Sequence, residues 1–150
     1  MRDLLNIEIK EVGAAVVLPI RQEVLRKGKP LNLCKMPGDE LQSSIHLGLF
    51  YEDKLAGIAT LMADAHPDFP DLSQLRLRGM AVLPEFQKKQ LGKLLMEEAI
   101  HIAKKKNVSL LWFNARELAV GFYEKFGFSV KGNLFSIEGV GNHFLMYKEL

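Results

Sequence analysis

The residues with most capacity for chemistry lie at a junction, in LRLRGMAVLPEFQKKQLGKLL (residues 75–95), where an apolar strand pattern ends at Pro84 and a helical pattern opens near Gln87. Such a junction leaves backbone N–H groups free and turns the positive end of a helix toward one spot, which suits an anion and above all a pyrophosphate. Lys88, Lys89 and Lys93 stand at that helix start, the end a cation disfavours. They read either as partners of a phosphate or as a solvated basic flank. Further along, Tyr123 carries a phenol that keeps its proton near pH 7. Its neighbours Phe122, Phe126 and Phe128 suit plain packing just as well. Asp39, His46, Asp64, His66 and His143 are proton acceptors by type, and each also has an ordinary structural reading. His46 lies in an alternating strand pattern, and Asp39 follows a Pro-Gly turn, where Asp is commonplace.

These groups need a core to position them. With 150 residues, 48% of them hydrophobic, the chain fits a single domain (1–150) with a sizeable interior. Twenty Lys and Arg against 18 Asp and Glu leave a net charge of +2. That balance argues against broad nucleic-acid binding and leaves room for a local anion site. The basic run Lys104–Lys106 closes the helical pattern opened at Gln87, where cations complement exposed carbonyls. Cys34 is alone, which excludes an internal disulfide, offers no metal-ligand cluster and makes a reducing compartment the default. The stretch MRDLLNIEIKEV interrupts its apolar positions with charges, so neither a signal peptide nor a membrane span is expected. The expectation is a soluble, cytoplasmic protein without a metal.

The periodicities place the elements. Ile7–Lys10 alternates as a strand, and a helix is expected over Val12–Lys27, with Val16, Val17, Ile20, Val24 and Leu25 on one stripe and Pro19 as a kink. Gly28–Gln42 is a loop, long enough to suggest that it covers something. Ser44–Tyr51 and Leu55–Ala63 form a hairpin about the polar turn Glu52-Asp53-Lys54. A second loop, Asp64–Ser73, leads to a strand over Gln74–Leu83 and a helix over Gln87–Asn107. Ser109–Phe113 is a buried strand ending at Asn114 and Ala115, and Arg116–Lys125 is a short helix stopped by Gly127. Strands at Phe128–Ile137 and His143–Lys148 flank the Gly139 and Gly141 turn. This order describes an α/β (α+β) fold, a mixed and mostly antiparallel sheet of about seven strands with helices on both faces.

Two of these segments, GMAVLPEFQKKQLGKLLMEEA and LLWFNARELAVGFYEKFGF, resemble the two core motifs of the GNAT superfamily of N-acetyltransferases, in the right order and at the right separation. The resemblance is most specific between Arg78 and Phe128. LRKGKPLNLCKMPGD, HLGLF and NAR add a likeness to a subgroup of uncharacterised bacterial acetyltransferases. The resemblance implies acetyl-coenzyme A as co-substrate, bound by a phosphate loop in which Gln87 takes the first position, Gln90 that of the first glycine and Gly92 that of the second, with Lys88, Lys89, Leu91 and Lys93 around them. Gln90 is a departure, tolerable if its backbone is helical. Met80, Ala81 and Val82 would offer main-chain groups to the pantetheine arm, which needs an unpaired edge where two parallel strands splay. Asn114 would touch the cofactor or cap the next helix. Tyr123 would stand near the thioester sulfur and protonate the departing thiolate.

The implied reaction is direct attack by an amine on the acetyl carbonyl, since the lone cysteine lies in neither motif. The amine must first lose a proton. The segment after the first helix and the closing hairpin would frame the acceptor, bringing Arg21, Cys34, Asp39, His46, Asn114 and His143 into reach; the acceptor is a small molecule or peptide. A catalytically weak acyl-CoA-binding or sensor module is the alternative, with Gln90 in its favour and Tyr123 against it. A structural subunit is a third, with GNLFSIEGVGNHFLMYKEL as a candidate homodimer edge.

Overall fold

Alternating side chains build seven strands: β1 (Ile7–Val12), β2 (Ile45–Tyr51), β3 (Lys54–Met62), β4 (Gln74–Val82), β5 (Leu110–Arg116), β6 (Ser129–Ile137) and β7 (Gly141–Glu149). They join one sheet in the order β1-β2-β3-β4-β5-β7-β6. The computed structural model describes residues 6–150, so the reading of the N-terminal stretch lies partly outside the described residues. β1 with β2, β2 with β3, β5 with β7 and β6 with β7 pair antiparallel, and β4 pairs parallel with β5. The α-helices are α1 (Leu18–Ile20), α2 (Leu91–Lys105) and α3 (Val120–Glu124). No described helix is long and apolar enough to cross a membrane.

The chain divides into two compact units, one of residues up to Met62 with Leu77–Ala99, the other of Ala63–Arg76 with Ile100–Leu150. In the first, Val17, Ile20, Ile58 and Ala81 form a buried cluster sealed by Val12, Val24, Leu25, Leu55 and Leu83. In the second, Phe69, Leu110, Trp112 and Leu145 do the same, with Phe135 and Tyr147 against them.

Four expectations need correction. The helix over Val12–Lys27 is three short pieces: a 3-10 turn at Ala14–Val17, α1, and a π turn at Arg21–Leu25. Pro19 has no N–H to give the preceding turn, so a continuous α-helix cannot run through it. Val16 leaves the apolar stripe and is 39% exposed. The second helix starts at Leu91, four residues later than expected, because Lys88 and Gln90 adopt φ of 66° and 64°. That left-handed conformation is incompatible with a right-handed helix and overturns the helical backbone assumed for Gln90. Strand β5 does not stop at Asn114, since β7 supplies a partner for every residue through Asn114↔Leu145 to Arg116↔His143. Arg116, not Asn114, precedes the Glu117–Ala119 turn, so Asn114 caps no helix.

The hairpin turn is tight: Glu52 and Asp53 have φ of 50° and 70°, the two-residue arrangement that matches strand twist. Lys104 and Lys105 do fall in the last turn of α2.

Candidate functional site

In the first unit the junction after β4 is built from main chain. The Leu83 N–H donates to the Ala56 carbonyl at 2.9 Å, anchoring the strand end, and Pro84–Phe86 make a 3-10 turn. The Gln87 side chain returns to donate from Nε2 to the Val82 carbonyl at 3.1 Å. Lys88 and Gln90 then hold positive φ, while Lys89 between them does not. Alternating φ signs turn successive N–H groups into one concavity, an arrangement that binds anions. The Gln90 carbonyl accepts the Leu94 N–H, so α2 is entered directly, and the N–H groups of Leu91, Gly92 and Lys93 have no carbonyl a turn earlier within the helix. This backbone fits a pyrophosphate. Lys89 is held over the Tyr51 ring at 5.5 Å and does not hang free. Within β4, Gly79 has φ of 61°, and a Cβ there would lie 3.2 Å from Arg21 Nε. Only glycine meets both demands.

That close approach belongs to a buried polar network in the same unit. Arg21 is fully buried; its Nη1 donates to Asp39 Oδ2 at 2.7 Å and to the Cys34 carbonyl at 3.1 Å. Its Nη2 donates to Asp39 Oδ1 at 3.0 Å and to Thr60 Oγ1 at 3.1 Å. Asp39 also accepts the Met36 N–H at 2.8 Å. Burial pushes the Asp39 carboxyl up, and the Arg21 and Met36 hydrogen bonds with the Arg21 charge more than reverse this, holding it below the ordinary 3.8. His46 closes the ring, with Nε2 2.9 Å from the Asp39 carbonyl and Nδ1 2.9 Å from Thr60 Oγ1. A carbonyl only accepts, so Nε2 carries the hydrogen; Thr60 accepts from Arg21 and gives its own hydrogen to Nδ1. Arg21, Asp39 and His46 therefore come together as the sequence grouped them, in one network with Thr60 that leaves Arg21 Nε without a partner. Thr60 was missed, although it is the hinge of the arrangement. Cys34 is buried, its thiol turned to the Pro30 carbonyl at 3.7 Å.

The second unit holds Tyr123, Asn114 and His143. Tyr123 lies on α3 with its ring 4.4 Å from Phe113 and 5.2 Å from Phe122. Burial raises its phenol above the ordinary value, against a smaller downward pull from the Arg116 charge. The ring is packed, yet its hydroxyl has no hydrogen-bond partner among the described residues. Tyr123 as a whole is half-buried, and among the described residues Arg21 Nε and Arg76 Nε are the buried side-chain polar atoms without a partner. The parallel ladder between β4 and β5 includes the pairs Gln74↔Leu110, Leu75↔Leu111 and Arg76↔Trp112. His143 stacks on Phe135 at 6.0 Å and 27°, and its Nδ1 lies 2.8 Å from the Gly141 carbonyl. Asp64 accepts from Arg76 Nη1 at 3.0 Å, and its carbonyl accepts from Trp112 Nε1 at 2.8 Å. His66 sets its ring edge against Trp112 at 4.9 Å and accepts the Asp68 N–H on Nδ1 at 3.0 Å. Asp64 and His66 thus fasten the 63–73 loop. Among the described residues no three His, Cys, Asp or Glu gather as metal ligands would.

The chain is similar to known proteins. The model of the acetyltransferase (GNAT) family matches residues 20–128. An uncharacterized N-acetyltransferase of Bacillus subtilis, YitI, is 35% identical over 144 residues, covering 96% of this chain and 97% of its own. Among solved structures, ElaA of Escherichia coli superposes with a TM-score of 0.78 at 18% identity, over 96% of this chain and all (100%) of its own. An acetyltransferase of the GNAT family from Streptococcus pneumoniae gives 0.69 at 22% identity, over 97% and 99%. At those identities the structural likeness speaks for the fold.

Proposed function

The chain belongs to the acetyltransferase (GNAT) family and is an acyltransferase, and from that premise we propose that it moves the acetyl group of acetyl-coenzyme A directly to a primary amine of a small molecule or peptide. The observation that carries the proposal is the backbone from Lys88 to Lys93, whose alternating φ and unpaired helix-start N–H groups suit a pyrophosphate. Bound there, acetyl-coenzyme A supplies an acetyl group activated as a thioester. Met80, Ala81 and Val82 are assigned to its pantetheine arm, as the family resemblance implies. Asn114 is kept as a further contact to the cofactor, now as a strand residue.

Tyr123 is assigned the proton that the leaving thiolate needs. Its raised phenol is protonated at neutral pH, and its unpartnered hydroxyl leaves that proton available. Arg21, Asp39 and His46 act on the acceptor side as a fixed frame for the 31–44 loop. The proposal extends to one domain, since the family match crosses both units, and to work in the cytoplasm without a metal; a homodimer through the closing strands remains part of it.

A second reading has one observation behind it: Gln90, at the place of the first glycine, holds φ of 64°. A side chain in that conformation weakens the loop and favours a catalytically weak acyl-CoA binder. Calorimetric titration with acetyl-coenzyme A, with desulfo-coenzyme A and adenosine diphosphate as controls, followed by thiol release with a panel of amines, separates the two. Micromolar binding, about −8 kcal/mol, together with amine-dependent thiol release supports the enzyme. Binding without amine-dependent release supports the binder, and no binding overturns both.

A further inference from the structure

A left-handed residue that carries a side chain is strained, and the strain persists only where the surroundings over-determine it. Lys88 and Gln90 are both in that state, in a turn (87–90) that contains no glycine. Something must hold this backbone in shape before a phosphate arrives. The Gln87 side chain supplies one tie, through the Val82 carbonyl. The other comes from a distant stretch of the same compact unit, the end of β2.

Tyr51 closes β2 and is held from both sides, paired with Ile7 of β1 and with Lys54 of β3. The tight turn at Glu52 and Asp53 follows directly, so the Tyr51 backbone is set. Its half-buried ring meets the segment after β4 twice. The Phe86 ring lies 5.5 Å away at 53°, a tilted pairing of the kind that aromatic rings favour. The exposed Lys89 places its ammonium 5.5 Å from the Tyr51 centroid, within reach of the ring's negative face. These two contacts bracket Gln87 and Lys88. One ring on a rigid hairpin therefore grips both ends of the stretch where the chain first turns left-handed, and the ammonium of Lys89 is turned to that ring.

Resting on the reading of this loop as the pyrophosphate site, we propose that Tyr51 is a positioning residue for acetyl-coenzyme A. It pre-organises the 87–90 backbone by holding Phe86 and Lys89, and Lys89 serves as the clip of the loop and not as a ligand of the phosphates. The anion meets the main-chain N–H groups. Binding then has little left to order, which raises affinity without any contact between Tyr51 and the cofactor. The ligand class that benefits is any molecule presenting a pyrophosphate, so adenosine diphosphate should respond as acetyl-coenzyme A does.

Calorimetric titration with both ligands compares wild type, Tyr51→Phe, Tyr51→Leu, Lys89→Met and the double variant Tyr51→Leu with Lys89→Met, each first shown to be folded by thermal melts. Tyr51→Leu removes both contacts and should weaken both ligands about tenfold, while Tyr51→Phe keeps the ring and should stay within about twofold of wild type. Lys89→Met should cost about fivefold alone and about twofold or less beside Tyr51→Leu, because the two changes remove one shared contact. An equal cost in both backgrounds overturns the proposal, since Lys89 would then act without Tyr51. Affinity unchanged or raised in Tyr51→Leu overturns it as well, a rise meaning that Lys89 must leave the ring to reach the anion. A further readout needs no variant: in proton spectra of wild type the Lys89 Hε resonances should lie upfield, shifted by the ring, and stay there when adenosine diphosphate saturates the site. Their return to the ordinary position on binding overturns the clip. Wild type that binds neither ligand fails the pyrophosphate reading itself, and the role of Tyr51 falls with it.

Discussion

His46 and His143 are 4% and 5% exposed, and burial alone does not distinguish them. Their surroundings do. Around His46 a cation, a carboxylate, a hydroxyl and two carbonyls exchange every hydrogen the ring can give or take, and the result is a closed frame that fixes the 31–44 loop to β2 and β3. Around His143 one carbonyl and one aromatic ring hold the imidazole, and one nitrogen is left over. The Tyr123 hydroxyl and the N–H groups at the start of α2 are left over in the same sense. Polar groups that close on one another stabilise, and those held rigidly without a partner are the ones with chemistry to offer.

The comparison breaks most visibly at Arg21. Arg21→Leu strands the Asp39 carboxylate without its buried partner, which costs about 3–5 kcal/mol and should lower Tm by about 10 °C. The acid response should change as well. A carboxyl held below its ordinary value contributes stability that is complete above pH 3.8 and is lost as pH falls further, so wild type should weaken there. In the variant burial acts without Arg21 to oppose it, and that acid loss should vanish. Urea melts across the acid range decide it; a variant as stable as wild type would mean that the network holds nothing.

On the open side, Tyr123→Phe should lower kcat about 100-fold while acetyl-coenzyme A affinity and Tm stay close to wild type, because the ring packing on Phe113 and Phe122 survives and the hydroxyl supports no protein contact. Unchanged turnover would remove the proton-donor role. Thr60→Val sharpens the contrast from the closed side. It keeps shape and removes the one hydroxyl that both accepts from Arg21 and donates to His46. The expected cost is about 1–3 kcal/mol in stability, read by chemical denaturation, with kcat per folded molecule unaltered.

Local patterns were legible and long-range partners were not. The seven strands and the tight hairpin turn follow from periodicity and punctuation over windows of about ten residues, and the two motif segments from their resemblance to a known family. Arg21, Asp39 and His46 could be grouped only by type, because their mutual bonds span 18 and 7 residues in sequence. Thr60 was hidden by register. Counting back from the Tyr51↔Lys54 pair sets His46 opposite Ala59, and the irregularity at Leu49/Phe50 shifts the partner to Thr60. Asn114 misled because a polar residue closing an apolar run resembles a cap. The strand runs on because β7 continues to pair it, and nothing local to Asn114 signals that.

The smallest effect belongs to Gln90, where the sequence also gave no warning. Residues 88–90 contain no glycine or asparagine, yet Lys88 and Gln90 both turn left-handed. For a residue with a Cβ that conformation costs about 1–2 kcal/mol. Gln90→Gly removes the strain at one of the two positions and returns some flexibility to the unfolded chain, so the net gain in stability should be about 1 kcal/mol or less. The N–H groups that converge there are unchanged by the substitution, and the absent side chain lets an anion approach the backbone more closely. Acetyl-coenzyme A affinity should therefore rise a few-fold, with adenosine diphosphate gaining equally because the gain lies at the phosphates. A rise for acetyl-coenzyme A alone would place the benefit away from this loop. A fall for both would show that the Gln90 side chain itself binds the anion, which would move this position from the strained backbone of an open site to a built part of it.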